Sequence, residues 1–180
     1  EKGQCLPFEP PRFVSTNEQG GTVGGMVAAG LAGPSRAAVG TVRDYVLGAT
    51  LLNGRAEVLG FGGQVMKNVA GYDVSRALAG SMGCLGVICE VSLKVLPQPP
   101  ATLTLRVELD QGAAIRRVNE WGGQPLPLNA SAWWDGMLVV RLSGAEAAVK
   151  SAFAKLGGEL IAPETATPFW NGLRDHRDEF

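Results

Sequence analysis

The sequence predicts an α+β protein made of two units, residues 1–98 and 99–180. A proline-rich stretch, Leu96-Pro-Gln-Pro-Pro100, marks the boundary, because prolines cannot donate to a sheet and they stiffen the chain into an extended connector. Glycine-punctuated segments dominate the first unit. Segments in the second unit follow the order β-α-β-β-α-β, which is typical of a ferredoxin-like module.

Composition limits the classes of function. A chain of 180 residues with 46% hydrophobic content is long and apolar enough to bury a core. The net charge of −1, with both signs mixed along the chain, argues against nucleic acid or an anionic membrane as a partner. Apolar stretches end well before the roughly 20 residues that cross a bilayer. We therefore expect a cytoplasmic protein without a transmembrane segment.

In the first unit, Thr22 is a predicted N-cap for a helix over Val23–Leu31. Segments Tyr45–Leu52 and Ala56–Leu59 are predicted to form a surface hairpin around Asn53-Gly54, because that pair favours a type I′ turn. The unit continues with a short helix over Val74–Ala79.

A strand over Gly86–Leu96 closes the first unit. Apolar side chains alternate there with Glu90, Ser92 and Lys94, so the period of two predicts one buried face. That face would hold Val87, Cys89, Val91, Leu93 and Val95.

The second unit opens with a predicted strand over Thr102–Leu109 and a helix that Asp110 caps and that runs to about Trp121. A hairpin of Asn129–Trp134 and Met137–Leu142 is predicted around Asp135-Gly136.

A second helix should follow this hairpin. Ser143 and Glu146 have the spacing of a capping box, and Gly157-Gly158 should end the helix. Its apolar stripe comprises Ala145, Ala148, Val149, Ala152, Phe153 and Leu156. A short strand over Glu159–Ala162 completes the module.

Both ends of the sequence suggest a piece of a longer protein. Glu1–Gln4 resembles the last turn of a helix, and the charged helix predicted over Pro168–Phe180 has nothing to pack against. Cys5, Cys84 and Cys89 are expected to be reduced, buried thiols, and His176 a solvated side chain. With one histidine and scattered acids, neither a metal cluster nor a Ser/His/Asp arrangement can be assembled.

Three motifs carry chemistry. The turn Gly21-Thr-Val-Gly-Gly25 opens a helix, where free N–H groups and the helix dipole favour an anion, although its glycines could serve tight packing alone. Gly83-Cys-Leu-Gly-Val-Ile88 could hold a cofactor with its backbone or simply lead into a buried strand. In Lys67-Asn-Val-Ala-Gly-Tyr-Asp73, the polar side chains could face a ligand, or Asn68 and Asp73 could make turns while Tyr72 covers a core.

These motifs, with the flanks Cys5–Pro11, Ala29–Pro34 and Val42–Gly48, resemble the second half of the FAD-binding domain of FAD-linked oxidases of the vanillyl-alcohol-oxidase type, also called the PCMH type. The similarity is strongest to flavin subunits of bacterial glycolate-oxidising complexes. It implies that residues 1–98 form the second FAD subdomain and residues 99–180 part of the cap domain. Cys84 departs from the pattern, because the family usually has Thr there.

The resemblance implies FAD as the cofactor, with hydride chemistry that belongs to the flavin. The residues expected to bind it are Thr22, Val23, Gly24, Gly25, Asp44, Asn68, Tyr72, Gly86, Val87 and Ile88, while the catalytic residues stay unknown. It also implies oxidation of glycolate to glyoxylate, transfer of electrons to an iron–sulfur subunit, and a paralogous flavin subunit in the same hetero-oligomer. Such a complex would be cytoplasmic or peripheral to the inner membrane through its partner subunits.

Two alternatives remain from the sequence. The chain could serve another FAD-linked 2-hydroxy-acid dehydrogenase. It could instead be a non-catalytic assembly module in which the glycines are structural and the ferredoxin-like half mediates subunit contacts.

Overall fold

The computed structural model describes residues 2–13, 20–63 and 72–177. Contacts between Cα atoms divide the chain into two compact units, Glu1–Gly33 with Gly40–Leu96, and Pro34–Val39 with Pro97–Phe180. The segment Pro34–Val39 thus clusters with the second unit, although it lies within the range 1–98. The functional role of each unit stays a prediction.

The described residues form nine strands and seven helices. They are β1 (Gln4–Cys5), α1 (Val23–Ala29), α2 (Arg36–Val39), α3 (Val42–Tyr45), β2 (Val46–Leu52), β3 (Val58–Gly62), α4 (Val74–Ala77), β4 (Val87–Leu93), β5 (Leu96–Pro97), β6 (Ala101–Glu108), α5 (Gln111–Gly122), β7 (Leu128–Trp134), β8 (Met137–Gly144), α6 (Glu146–Leu156), β9 (Glu159–Ile161) and α7 (Pro163–Asp175).

An antiparallel sheet of order β3-β2-β4 organises the first unit. Its core contains Ala49, Leu51 and Leu78, with Phe61 and Ile88 packed against them. The predicted hairpin is confirmed, since β2 pairs with β3. Its first strand is the central strand of the sheet, with four of seven residues buried, so the hairpin is less superficial than expected.

The type I′ turn predicted at Asn53-Gly54 is wrong. The loop is longer, and the left-handed residue is Ala56, with φ of 60°. The Asn53 side chain explains the difference, because its Oδ1 accepts hydrogen bonds from the amides of Arg55 (2.9 Å) and Glu57 (3.0 Å). An asparagine that satisfies two amides of the loop stabilises the wider connection.

The buried face predicted for β4 is wrong at the start of the strand. Thr50 pairs with Glu90 and Leu51 pairs with Ile88, so Cys89 is an extra residue at a β-bulge. The bulge reverses which side chains face the core. Ile88 consequently packs inward, whereas Val87 is 63% exposed and Cys89 is exposed as well.

The second unit contains the predicted ferredoxin-like arrangement. Its antiparallel sheet has the order β7-β8-β6-β9, joined by helices in the sequence β-α-β-β-α-β. The Asp110 cap is confirmed by its hydrogen bond from the amide of Ala113 (2.9 Å). The turn at Asp135-Gly136 is confirmed as well, since both residues have positive φ, 47° and 77°.

Helices cover both faces of this sheet. One face packs against α5 and α6 through Leu105, Leu138, Val140, Leu142, Trp121 and Val149. The other face packs against α7 through Ala130, Val139, Ala166 and Trp170. Two-sided burial is why β8 is a nearly continuous apolar run.

The prediction that the final helix has nothing to pack against is therefore wrong. Helix α7 begins at Pro163, five residues before the predicted start. Proline is favoured at the first helical position, because the N–H group that it lacks would have no partner within the helix there. Trp170 anchors the helix to the sheet: its Nε1 donates to Thr104 Oγ1 (3.0 Å), and the Arg141 guanidinium lies 4.8 Å from its ring.

The capping box predicted at Ser143 is also wrong. Strand β8 continues to Gly144, and the hydroxyls of Ser143 and Thr102 are hydrogen bonded across the sheet (3.0 Å). The cross-strand hydrogen bond thus takes up the Ser143 hydroxyl, which the sequence spacing had predicted to cap a helix. The glycine stop is confirmed, since Gly157 caps α6 with φ of 68°.

Several single-residue expectations can be compared with the structure. Cys84 and Cys89 are exposed and Cys5 is partly buried, so the prediction of buried thiols is wrong for the first two. Trp121 lies in the core, and Trp134 is 62% exposed. Among the described residues, no helix is long and apolar enough to span a bilayer, and no group of three or more His, Cys, Asp or Glu could hold a metal ion.

Candidate cofactor-binding surface

The motifs Gly21–Gly25 and Gly83–Ile88 meet in the first unit. Thr22 caps α1 as predicted, because its Oγ1 accepts a hydrogen bond from the amide of Gly25 (3.0 Å). The helix then lies so close to β4 that a Cβ atom built on Gly24 would be 3.5 Å from the carbonyl oxygen of Ile88. Two segments separated by about sixty residues in sequence thus form one surface.

The loop Gly80–Gly86 is fastened to the other end of α1. The amide of Gly80 donates to the carbonyl of Val27 (3.0 Å), and the amide of Met82 donates to that of Ala28 (2.8 Å). A side chain on Gly30 would meet the Gly80 Cα at 3.1 Å, so the two backbones touch. Helix and loop therefore hold each other in place.

Positive φ values are concentrated in this loop rather than in the first turn. Gly80, Gly83 and Gly86 have φ of 79°, 77° and 142°. Gly86 also lacks room for a side chain, since a Cβ would collide with the Leu52 carbonyl oxygen and lie 3.0 Å from Leu51 Cδ1. Gly24 and Gly25 lie inside α1, and neither has a positive φ.

Apolar side chains border the two motifs in an exposed position. Val23 is 56% exposed, Met82 72%, Leu85 51% and Val87 63%. A concentration of large exposed apolar side chains marks a binding surface more often than a free one. Sequence analysis missed Met82 and Leu85, because a loop residue carries no hydrophobic period that would reveal which side it faces.

Asp44 has a structural task. It completes a capping box at the start of α3, where its Oδ2 accepts hydrogen bonds from the Thr41 amide (2.8 Å) and hydroxyl (3.3 Å). The contact between Asp44 and a cofactor remains a prediction from the sequence.

The structure describes only Tyr72 and Asp73 of the motif Lys67–Asp73. Lys67 and Asn68 lie outside the described residues, so the prediction for Asn68 is not tested. Tyr72 is 97% exposed, which rules out the interpretation that it covers a core. Asp73 caps α4: its Oδ1 accepts from the Ser75 hydroxyl (2.7 Å) and the Arg76 amide (3.1 Å).

The electrostatics of this cap are favourable. The hydrogen bond from Ser75 is the main cause that lowers the pKa of Asp73 below its usual value, and the nearby Arg76 and Arg43 add to the effect. The Asp73 carboxylate is therefore charged at neutral pH, and its hydrogen bonds hold Asp73, the neighbour of Tyr72, at the start of α4.

The second unit has a cavity of its own. It measures about 320 Å³ and lies between α2, the end of α5 and β7, with apolar walls from Trp121, Leu126 and Leu128 and polar atoms from Asn129 and Gln124. The Asn129 Oδ1 already accepts a hydrogen bond from Arg141 Nε (2.6 Å), so its acceptor is occupied in part.

Comparison with known proteins confirms the resemblance inferred from the motifs. The chain is 49% identical over 178 residues to glycolate oxidase subunit GlcE of Escherichia coli, which covers 99% of this chain and 49% of that protein. It is 36% identical over 104 residues to glycolate oxidase subunit GlcD of Bacillus subtilis and 38% over 105 residues to D-lactate dehydrogenase of Anaerostipes hadrus. Each of these two alignments covers 58% of this chain and 21% of the relative. No family model matches.

Solved structures confirm the α+β fold class. Two structures of alkyldihydroxyacetonephosphate synthase align with a TM-score of 0.65 at 15% and 16% identity, over 98% of this chain and 39% and 41% of theirs. This likeness concerns the fold alone. The chain spans about half the length of the Escherichia coli relative and a smaller share of the others.

Proposed function

We propose that this chain forms part of the FAD-binding subunit of a glycolate oxidase, in a complex that oxidises glycolate to glyoxylate. The observation that carries the proposal is the meeting of the Thr22–Gly25 turn with Ile88, in a chain 49% identical to a glycolate oxidase subunit. In this proposal the first unit binds the cofactor and the second contributes to the cap over the substrate.

The described residues fit one wall of a cofactor site. A side chain at Gly24 would fill the space beside the Ile88 carbonyl, and glycine leaves that space to a ligand. Val23 and Val87 offer apolar contacts next to it, while Thr22 holds the helix start in shape. We assign Thr22, Val23, Gly24, Gly25, Gly86, Val87 and Ile88 to this wall, and propose that Asp44, Asn68 and Tyr72 complete the set.

Bound FAD supplies the acceptor for the hydride of a 2-hydroxy acid, which the side chains of this chain cannot supply themselves. The residues of the wall act on the cofactor by position. The backbone of Gly86–Ile88 would hold the cofactor, and the exposed side chains of Val23 and Val87 would exclude water from that side. No acid or base for the oxidation is assigned to this chain.

We also propose that the subunit acts in a complex with partner subunits. The name of the Escherichia coli relative describes a subunit, which favours a hetero-oligomer. The resemblance to FAD-linked oxidases implies that the partners are a paralogous flavin subunit and an iron–sulfur subunit that takes the electrons. We expect the complex in the cytoplasm or at the inner membrane through those partners.

An absorbance spectrum of the purified full-length protein is the first test. A stoichiometric flavin with maxima in the visible range is expected, and its bleaching by glycolate without oxygen would establish the reaction. Colourless, well-folded protein that does not take up added FAD would favour the non-catalytic assembly module instead.

A D-lactate dehydrogenase is the near alternative, since one such enzyme is 38% identical over 105 residues. Rates of flavin reduction with glycolate, D-lactate and D-2-hydroxyglutarate decide between them. Faster reduction by a larger hydroxy acid would replace glycolate as the substrate and leave the cofactor assignment intact.

A further inference from the structure

Met82 occupies a backbone position that favours other residues. The amide of Cys84 donates to the carbonyl of Ser81 (3.0 Å), which closes a turn with Met82 and Gly83 at its centre. Both have positive φ, 53° and 77°. These are the features of a type I′ turn, in which glycine, asparagine and aspartate are favoured and a large side chain is strained.

The same chain shows what this turn ordinarily requires. At Asp135-Gly136 the two φ values are 47° and 77°, and the first position holds an aspartate, one of the residues the turn prefers. The turn at Ser81–Cys84 has the same geometry with methionine instead. Turn formation therefore explains Asp135 and does not explain Met82.

Burial of the Met82 side chain does not offset the strain of its positive φ. It is 72% exposed, more than the neighbouring apolar residues Leu85 and Val87. Its backbone is fixed all the same, since the Met82 amide donates to the Ala28 carbonyl (2.8 Å). A strained residue that a rigid backbone presents outward is a feature of ligand clamps.

We propose that Met82 contacts the cofactor and that its apolar side chain packs on an aromatic ring of bound FAD. The inference rests on the proposed function, and it adds a contact that the glycine motifs do not supply. Methionine is unbranched and polarizable, and its sulfur makes favourable contacts with aromatic rings. Met82 lies four residues before Gly86, in the loop that continues directly into the Gly86–Ile88 backbone that we assign to the cofactor.

The test compares three variants of the full-length protein by FAD titration of the apo form and by thermal melting without FAD. Met82→Asn keeps the turn, so we expect a melting temperature equal to or above that of the wild type and a Kd for FAD raised about tenfold. Met82→Leu keeps the apolar bulk under the same strain and should retain most of the affinity. Ala56→Gly is the matched control: it relieves φ of 60° in the β2–β3 loop and should leave the Kd unchanged.

Distinct results overturn the two proposals. Wild-type affinity for FAD in Met82→Asn would overturn the role of Met82 while the proposed function stands. A wild-type protein that does not bind FAD would overturn the proposed function itself. A loss of affinity in Met82→Leu equal to that in Met82→Asn would overturn the packing role, since side-chain bulk would then not matter.

Discussion

Replacing Gly24 by alanine should change stability and cofactor affinity in opposite directions. Gly24 lies in α1, and its new methyl group would be 3.5 Å from the Ile88 carbonyl oxygen and 4.0 Å from Ile88 Cβ, which are ordinary contacts. Alanine is favoured over glycine within a helix by about 0.5–1 kcal/mol. A gain of that size raises the melting temperature of a unit of this length by about 2–8 °C.

The effect on FAD has the other sign. The methyl group occupies the space that we assign to the cofactor, and a hydrogen bond to a charged group is worth about 1.5–3 kcal/mol. Loss of one such bond weakens binding by about tenfold to a hundredfold. Titration of the apo protein with FAD, followed by quenching of flavin fluorescence, measures this change.

Gly122→Ala is the matched control, because Gly122 ends α5 in the second unit and a Cβ there meets nothing within 4 Å. It should leave the Kd for FAD unchanged. A Gly24→Ala protein that melts higher and binds FAD as tightly as the wild type would refute the reasoning and make the Gly24 turn a packing feature.

Three further predictions concern the described contacts. Gly86→Ala should lower the free energy of unfolding by about 1–3 kcal/mol, since it combines positive φ with a backbone collision; an unchanged denaturant midpoint would contradict this. Asp73→Ala should cost about 1 kcal/mol at neutral pH through the lost cap. Folding lowers the pKa of Asp73 below its usual 3.8. The stability that the Asp73 carboxylate contributes is therefore complete above pH 3.8 and is lost as the pH falls through the pKa of the folded state. The melting temperatures of the variant and the wild type should thus converge in acid. Trp170→Phe should destabilise the second unit by about 1–3 kcal/mol, because the buried Thr104 hydroxyl loses its donor; equal stability would mean that α7 depends on packing alone.

Three signals that span only a few residues were read correctly from the sequence. Thr22 and Asp110 cap their helices, and Asp135-Gly136 forms its turn, because each satisfies nearby backbone groups whatever the rest of the chain does. The order of elements in the second unit followed from such signals. The resemblance to FAD-linked oxidases likewise came from short motifs that are contiguous in sequence.

The sequence-based prediction was wrong where a residue has a local role available but is placed by a partner far away in sequence. Ser143 has the spacing of a cap, yet its hydroxyl pairs across the sheet with Thr102, forty-one residues away. Cys89 fits an alternating pattern, yet a bulge against β2 turns it outward. A periodic pattern assumes an unbroken register, and the register is fixed by the neighbouring strand.

The sequence by itself determined the element order of the second unit, the helix caps at Thr22 and Asp110, and the glycine motifs that suggest a flavin-binding chain, because these depend on neighbouring residues. Only the tertiary structure decided that Gly24 faces Ile88, that the Gly80–Gly86 loop is fastened to α1, and that α7 covers the second face of its sheet through Trp170. Each of these depends on contacts between residues far apart in sequence. Such contacts form only when burial of apolar area and pairing of polar groups are satisfied together across the whole unit.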